Sequence, residues 1–196
     1  GRRQQERPLG QRPKRVAPHA FRLALRLGAG QICDMVNYSE YASILGISQP
    51  TVREYLGIME ETHIIRQIRP FVGGRRAELT SAPKLFFIDN GLRNAVSGGF
   101  EPLENRNDIG KLMENWIFSE LHKRYPHPGD IRYWRTKGGA EMDFVLEPRP
   151  GLLVGIETKA QKHKLPRLSR SARSFIKAYK PVQQLIFTRG RPFEEQ

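Results

Sequence analysis

Residues 141–160 read EMDFVLEPRPGLLVGIETKA, and this stretch decides the fold. EMDFVLE and LLVGIETKA are strand-like runs on either side of a Pro150-Gly151 turn. Side chains alternate across a strand, so Glu141 and Asp143, two apart, project from the same side. By the same alternation Glu157 and Lys159 share one face of the second strand, while Val154 and Ile156 point the other way, into a core.

Upstream, GKLMENWIFSELHKR spans Gly110 to Arg124 and reads as a helix with Leu112, Met113, Trp116, Ile117 and Leu121 on its apolar face. Glu114 lies at the flank of that face. Glu120 lies nearer its middle, where hydrogen bonding near the core or pairing with Arg124 is the bland alternative. A strand, IRYWRT, and a Lys137-Gly138-Gly139 turn complete the approach. The order is therefore a carboxylate on a helix, a carboxylate on a strand, then Glu-x-Lys on the neighbouring strand. Phosphodiester hydrolysis uses such a set. Carboxylates hold Mg²⁺, or Mn²⁺ in its place, and the metal lowers the pKa of a bound water. A lysine orients that water or stabilises the transition state. Asp143 and Glu157 are the expected ligands, with Glu114 as a third carboxylate. Lys159 is the electrostatic group, and Gln161 would steady the water or a phosphate. The alternative is that Glu157 and Lys159 form a solvated surface pair.

In the first half, Tyr38 to Glu61 reads YSEYASILGISQPTVREYLGIMEE. Ala42, Gly46 and Val52 occupy the small, turning and locking positions of a helix-turn-helix. Ser39 can cap the first helix, and Ser48 or Gln49 precedes Pro50 at the start of the second. HIIRQIRPFVGGRR and AELTSAPKLFFID then read as two strands joined by a Gly-Gly-Arg-Arg turn, a wing with Arg75 and Arg76 at its tip to meet phosphates. Gln49, Thr51 and Arg53, with Glu54, are placed to enter a major groove of DNA. Glu54, Glu60 and Glu61 against the single Arg53 leave packing against another protein as the alternative.

The chain of 196 residues carries a net charge of +13, unevenly spread. Residues 1–18, 19–97, 98–157 and 158–196 carry +5, +2, −2 and +8. This suits a polyanion held by basic edges around a carboxylate site. Residues 1–18 read as a basic linker or tail, 19–97 as the winged helix-turn-helix and 100–196 as the second domain, with the boundary at Gly98-Gly99. In LPRLSRSARSFIKAYKP, Arg170, Arg173 and Lys177 recur at helical spacing and make one basic face, a phosphate-tracking ridge or else an ordinary solvated surface. QQLIFT reads as a closing strand. The lone Cys33 cannot form an internal disulfide and reads as a small buried hydrophobe on a helix. A single cysteine makes a reducing cytoplasm the expected home, and no apolar run is long enough to span a bilayer, so no membrane partner is expected.

Asp143 followed by Glu157-Thr158-Lys159 resembles the PD-(D/E)XK nuclease signature, and the helix from Gly110 is similar to the opening helix of archaeal Holliday-junction resolvases. More closely, ELTSAPKLFFIDNGLRNA, DIGKLMENWIFSEL, YWRTKGGAEMDFVLE and IETK resemble the C-terminal domain of unknown function of bacterial and archaeal AAA-type ATPases, across about residues 20–190. The resemblance implies an α/β (α+β) fold: an N-terminal winged helix-turn-helix, then a restriction-endonuclease-like mixed sheet flanked by helices. It implies DNA as partner, an ATPase domain in cis or in trans, and either metal-dependent DNA cleavage or a non-catalytic regulatory role. A transcriptional regulator acting through the winged helix is a third reading. No G-x-x-x-x-G-K-[ST] phosphate loop is present, so the chain is expected to be the C-terminal part of a longer ATPase or to have lost that domain.

Overall fold

The structure is a computed structural model that describes residues 17–71, 82–160 and 168–188. Within them the chain is a mixed α/β protein with six α-helices and two sheets. Helix α1 (Pro18–Gly30) opens with proline at its first turn, where the missing N–H costs nothing. Its buried face is made of small residues, Ala20, Ala24, Gly28 and Ala29. Cys33 follows in a turn with φ 65°, not on a helix, and its buried thiol donates to the Lys111 carbonyl.

Helices α2 (Tyr38–Leu45) and α3 (Gln49–Glu61) are joined at Gly46, whose φ of 64° suits a residue without Cβ. Asn37, rather than Ser39, caps α2 by accepting from the Glu40 N–H, and Ser48 caps α3 by accepting from Thr51. Strands β1 (Ile65–Ile68) and β2 (Lys84–Phe87) then pair antiparallel, with Ile65 opposite Phe87 and Ile68 opposite Lys84. Both are shorter than the sequence runs that flank the glycine turn. Arg75 and Arg76 lie outside the described residues.

Helix α4 (Asn90–Ser97) is capped by the Asp89 carboxylate and ends at Gly98, φ 77°. Helix α5 (Ile109–Arg124) leads to a sheet ordered β3 (Ile131–Arg135), β4 (Glu141–Arg149), β5 (Leu152–Lys159), β6 (Gln183–Thr188). The β3–β4 and β4–β5 pairs are antiparallel, and β5–β6 is parallel. A parallel neighbour needs a crossover, which α6 (Arg170–Tyr179) supplies. Both faces of the sheet are covered. Phe144, Leu146 and Ile156 join the larger core, while Met142, Val145 and Leu153 pack with Ala172 and Phe175 of α6.

The larger core takes residues from Ala20 to Ile156. Strand β2 is its seam: Phe86 packs 4.6 Å from Phe118 and 5.5 Å from Phe144, centroid to centroid. Next to it, buried Asn115 of α5 accepts from the Phe87 N–H and donates to the Phe87 carbonyl, as a neighbouring strand would. Among the described residues no helix is long and apolar enough to cross a membrane.

Candidate functional site

Side chains with chemistry gather where β2 meets α5 and the bulged strand β4. The register of β3 against β4 goes from Arg132↔Val145 to Trp134↔Met142, so Asp143 and Phe144 together oppose one residue of β3. Such a bulge re-aims a side chain. Met142 and Val145 both belong to the α6-side core, and Phe144 belongs to the other. Asp143 is aimed across to β5, where its Oδ2 accepts from the Thr158 N–H at 2.6 Å and from the Thr158 hydroxyl at 2.8 Å.

Lys84 is the centre of the cluster. It is only 4% exposed, and its ammonium lies 3.1 Å from Glu114 of α5 and 2.5 Å from Glu141 of β4. The Arg135 guanidinium holds the other Glu141 oxygen at 3.4 Å. Burial works against the Lys84 charge, but Glu114 and Glu141 outweigh it and hold the ammonium protonated well above its ordinary range. Burial pushes the Glu114 carboxyl up to about 7; Lys84 opposes that rise, and Asp143 adds to it. Asp143 is raised by burial as well, against the pull of its Thr158 hydrogen bonds. Several carboxylates thus share one lysine, and a proton on Glu114 relieves the excess negative charge.

Glu157 and Lys159 face each other along β5, with Lys159 Nζ 3.9 Å from Glu157 Oε1. A Cβ on Gly155 would meet Phe175 of α6, so alternation along β5 puts Glu157 on the α6 side and Thr158 on the side of Asp143. The Glu157 Oε2 atom is buried with no hydrogen-bond partner among the described residues. The structure therefore brings Glu114 and Asp143 together around Lys84 and leaves Glu157 with Lys159 as a separate pair. Gln161 lies outside the described residues.

Can this donor set hold a divalent cation? Lys84 is shared by Glu114 and Glu141, Thr158 engages Asp143, and Glu157 faces elsewhere. Among the described residues no group of three or more Asp, Glu, His or Cys side chains is spaced to hold a metal ion. Glu157, paired with Lys159, stands apart from Glu114 and Asp143 in this arrangement.

The residues expected to meet DNA fall on two surfaces. On α3, Gln49 donates to the Ser39 hydroxyl, Thr51 shares a hydrogen bond with Ser48, and the Arg53 guanidinium lies 3.6 Å over the Tyr38 ring. Arg170, Arg173 and Lys177 are exposed on α6, opposite its buried Ala172 and Phe175. Two expectations on α5 need correction. Trp116 is half exposed, and Glu120 sits in solvent with Lys123 at 2.5 Å instead of near the core. The buried stripe runs instead through Leu112, Asn115, Phe118 and Ser119, because Asn115 and Ser119 find partners inside, which lets polar residues take the inner face.

Lys84, Glu141 and Asn115 were not singled out from the sequence as site residues. The signal for Lys84 was there: a lysine heading the apolar run KLFF must bury a charge and needs acids around it.

Two family models match the chain. Residues 6–103 match a domain of unknown function, DUF8612, and residues 109–194 match another, DUF4143. Over 173 residues, 87% of this chain, it is 29% identical to the uncharacterized protein Mb2031c of Mycobacterium bovis and to the uncharacterized protein Rv2008c of Mycobacterium tuberculosis. The match spans 38% of the length of each of these curated relatives. No solved structure matches the chain. Half of the chain lies under the first family model, and the chain belongs to that family, the domain of unknown function DUF8612.

Proposed function

We propose that the chain is a DNA-binding, nuclease-like module that works with an AAA-type ATPase, and that it binds without cutting. In this reading α2, α3 and the β1–β2 pair form a winged helix, and α5 with the four-stranded sheet forms a restriction-endonuclease-like unit. The observation that carries it is Lys84, whose ammonium gives Glu114 and Glu141 the positive charge that a metal ion supplies in a cleaving site. The exposed Arg170, Arg173 and Lys177 on α6 provide the phosphate contacts. DUF4143 is known in proteins associated with AAA-type ATPases, which supports that partner in cis or in trans.

A second reading, Mg²⁺- or Mn²⁺-dependent phosphodiester cleavage, is favoured by one observation. Glu157 Oε2 is buried beside Lys159 without a hydrogen-bond partner among the described residues, and a carboxylate in that state attracts a cation.

One experiment separates the two. The chain is incubated with single-stranded, duplex and branched DNA, with Mg²⁺, Mn²⁺ or chelator, beside Asp143→Ala and Glu157→Ala. Retained and uncut DNA in every lane, weakened by Arg170→Ala with Arg173→Ala, is the expected result. Metal-dependent cutting that both carboxylate variants lose would establish the second reading. If folded protein neither retains nor cuts DNA, the DNA assignment fails and a protein-docking module remains.

A further inference from the structure

We infer that the cleft between α3, β1 and the C-terminal end of α5 is a binding site for a phosphomonoester attached to a nucleoside. The cleft encloses about 570 Å³, within the span of small-molecule sites. Arg53, Arg66 and Arg69 line it against one carboxylate, Glu60. That carboxylate is already engaged: its two oxygens accept from the Gln67 backbone and side-chain N–H groups at 3.1 Å, and Arg66 lies 3.6 Å away. Among the described lining residues, three arginines thus face one carboxylate, which leaves a positive excess. A phosphate dianion meets that excess, with guanidinium forks that match its oxygens.

A flat group has its own place in the cleft. The Arg53 guanidinium carbon lies 3.6 Å over the Tyr38 ring, and the residue is exposed, so a flat group can reach it from solvent. Nucleobases stack on guanidinium planes held in this way. His122, stacked at 9° on Phe118, stands on the α5 wall, and burial with the nearby Arg66 holds it below its usual pKa. The Tyr125 backbone already engages the donor nitrogen of the neutral ring, so its other nitrogen is left to accept a hydrogen bond from a base N–H. Arg66 also donates to the Pro126 carbonyl, so the two halves of the chain close on the same space.

This site is independent of the Lys84 cluster, and its test reads binding, not cleavage. The probes are AMP, adenosine, the 5′-phosphorylated dinucleotide pTpT and unphosphorylated TpT, titrated calorimetrically into the chain. The expected result is that AMP and pTpT bind at least tenfold tighter than adenosine and TpT. Whichever phosphomonoester binds tighter distinguishes a free nucleotide from a strand end. Arg69→Gln and Arg53→Gln, both at exposed positions, should each weaken the phosphomonoesters fivefold or more, Arg69→Gln with an unchanged melting temperature and Arg53→Gln with only the small drop that loss of its Tyr38 contact brings. Absence of binding, affinity blind to the phosphate, or affinity unmoved in both variants overturns the inference.

Discussion

The Lys84 ammonium lies 3.1 Å from the Glu114 carboxylate, a largely buried contact that joins the β1–β2 pair to α5. Glu141 shares the same ammonium from β4, so one lysine fastens three elements from both halves of the sequence. Removing one partner of a buried pair leaves the other charge without compensation. Lys84→Met should cost about 3–5 kcal/mol in urea denaturation. The same variant strips the carboxylates of their cation, so Mn²⁺ should raise its melting temperature more than it raises that of the unaltered chain. A cost below about 1 kcal/mol would remove Lys84 from the centre of the fold.

Glu114 gives the stability a pH dependence whose sign follows from its environment. Burial raises its folded pKa to about 7, from an ordinary 4.5. A raised folded pKa favours folding fully below the unfolded value, and that contribution is lost as pH rises through the folded one. Stability should therefore fall between pH 5 and pH 8, by on the order of 2 kcal/mol from this group. Glu114→Gln keeps a neutral side chain beside Lys84 and should flatten the profile in that window. A flat profile in the unaltered chain would show that Glu114 stays ionised.

How far the sequence revealed this site depends on the range of the interactions. Alternation along EMDFVLE and LLVGIETKA located β4 and β5 closely, because strand period and a Pro-Gly turn are local signals. The α2–α3 turn at Gly46 was legible for the same reason. Alternation alone, however, said nothing of the register between β4 and β5. The bulge at Asp143 and Phe144 arises from pairing with β3, and with it Asp143 meets Thr158 rather than Glu157. Lys84 reaches its acids across 30 and 57 residues of chain, a separation no local pattern encodes. Trp116 misled for a related reason: apolar periodicity placed it inside, yet Asn115 took the inner face by bonding the backbone of Phe87.

Asp108 should act in the opposite direction at acid pH. Hydrogen bonding from Arg106, helped by Arg93, holds its carboxyl down at about 2. A depressed folded pKa stabilises above the unfolded value, near 4, and that stabilisation is lost as pH falls through about 2. Partial exposure screens the pair, so Asp108→Asn should cost only about 1 kcal/mol at neutral pH. The difference from the unaltered chain should vanish near pH 2. A constant difference across the acid range would mean that the loss comes from packing instead of charge.

Two glycines provide a test of the β5 geometry that does not depend on charge. A Cβ on Gly155 would collide with Gln184 Oε1 and come within 3.0 Å of the Phe175 ring, which is fully buried in the α6-side core. Gln184 has a flexible end and can yield, but the ring is fixed between Trp134 and Tyr179. Overpacking of this kind costs about 1–3 kcal/mol, so Gly155→Ala should lower the unfolding midpoint clearly. Gly110, in the first turn of α5, has room, since the nearest atom to an added Cβ is that of Ala160 at 3.8 Å. There alanine removes freedom from the unfolded chain without strain, and Gly110→Ala should stabilise by about 0.5–1 kcal/mol. Opposite signs at the two positions would support the close approach of α6 to β5. If Gly155→Ala were neutral, Phe175 would have to sit farther from the strand, and the placement of Glu157 on the α6 side would lose its support.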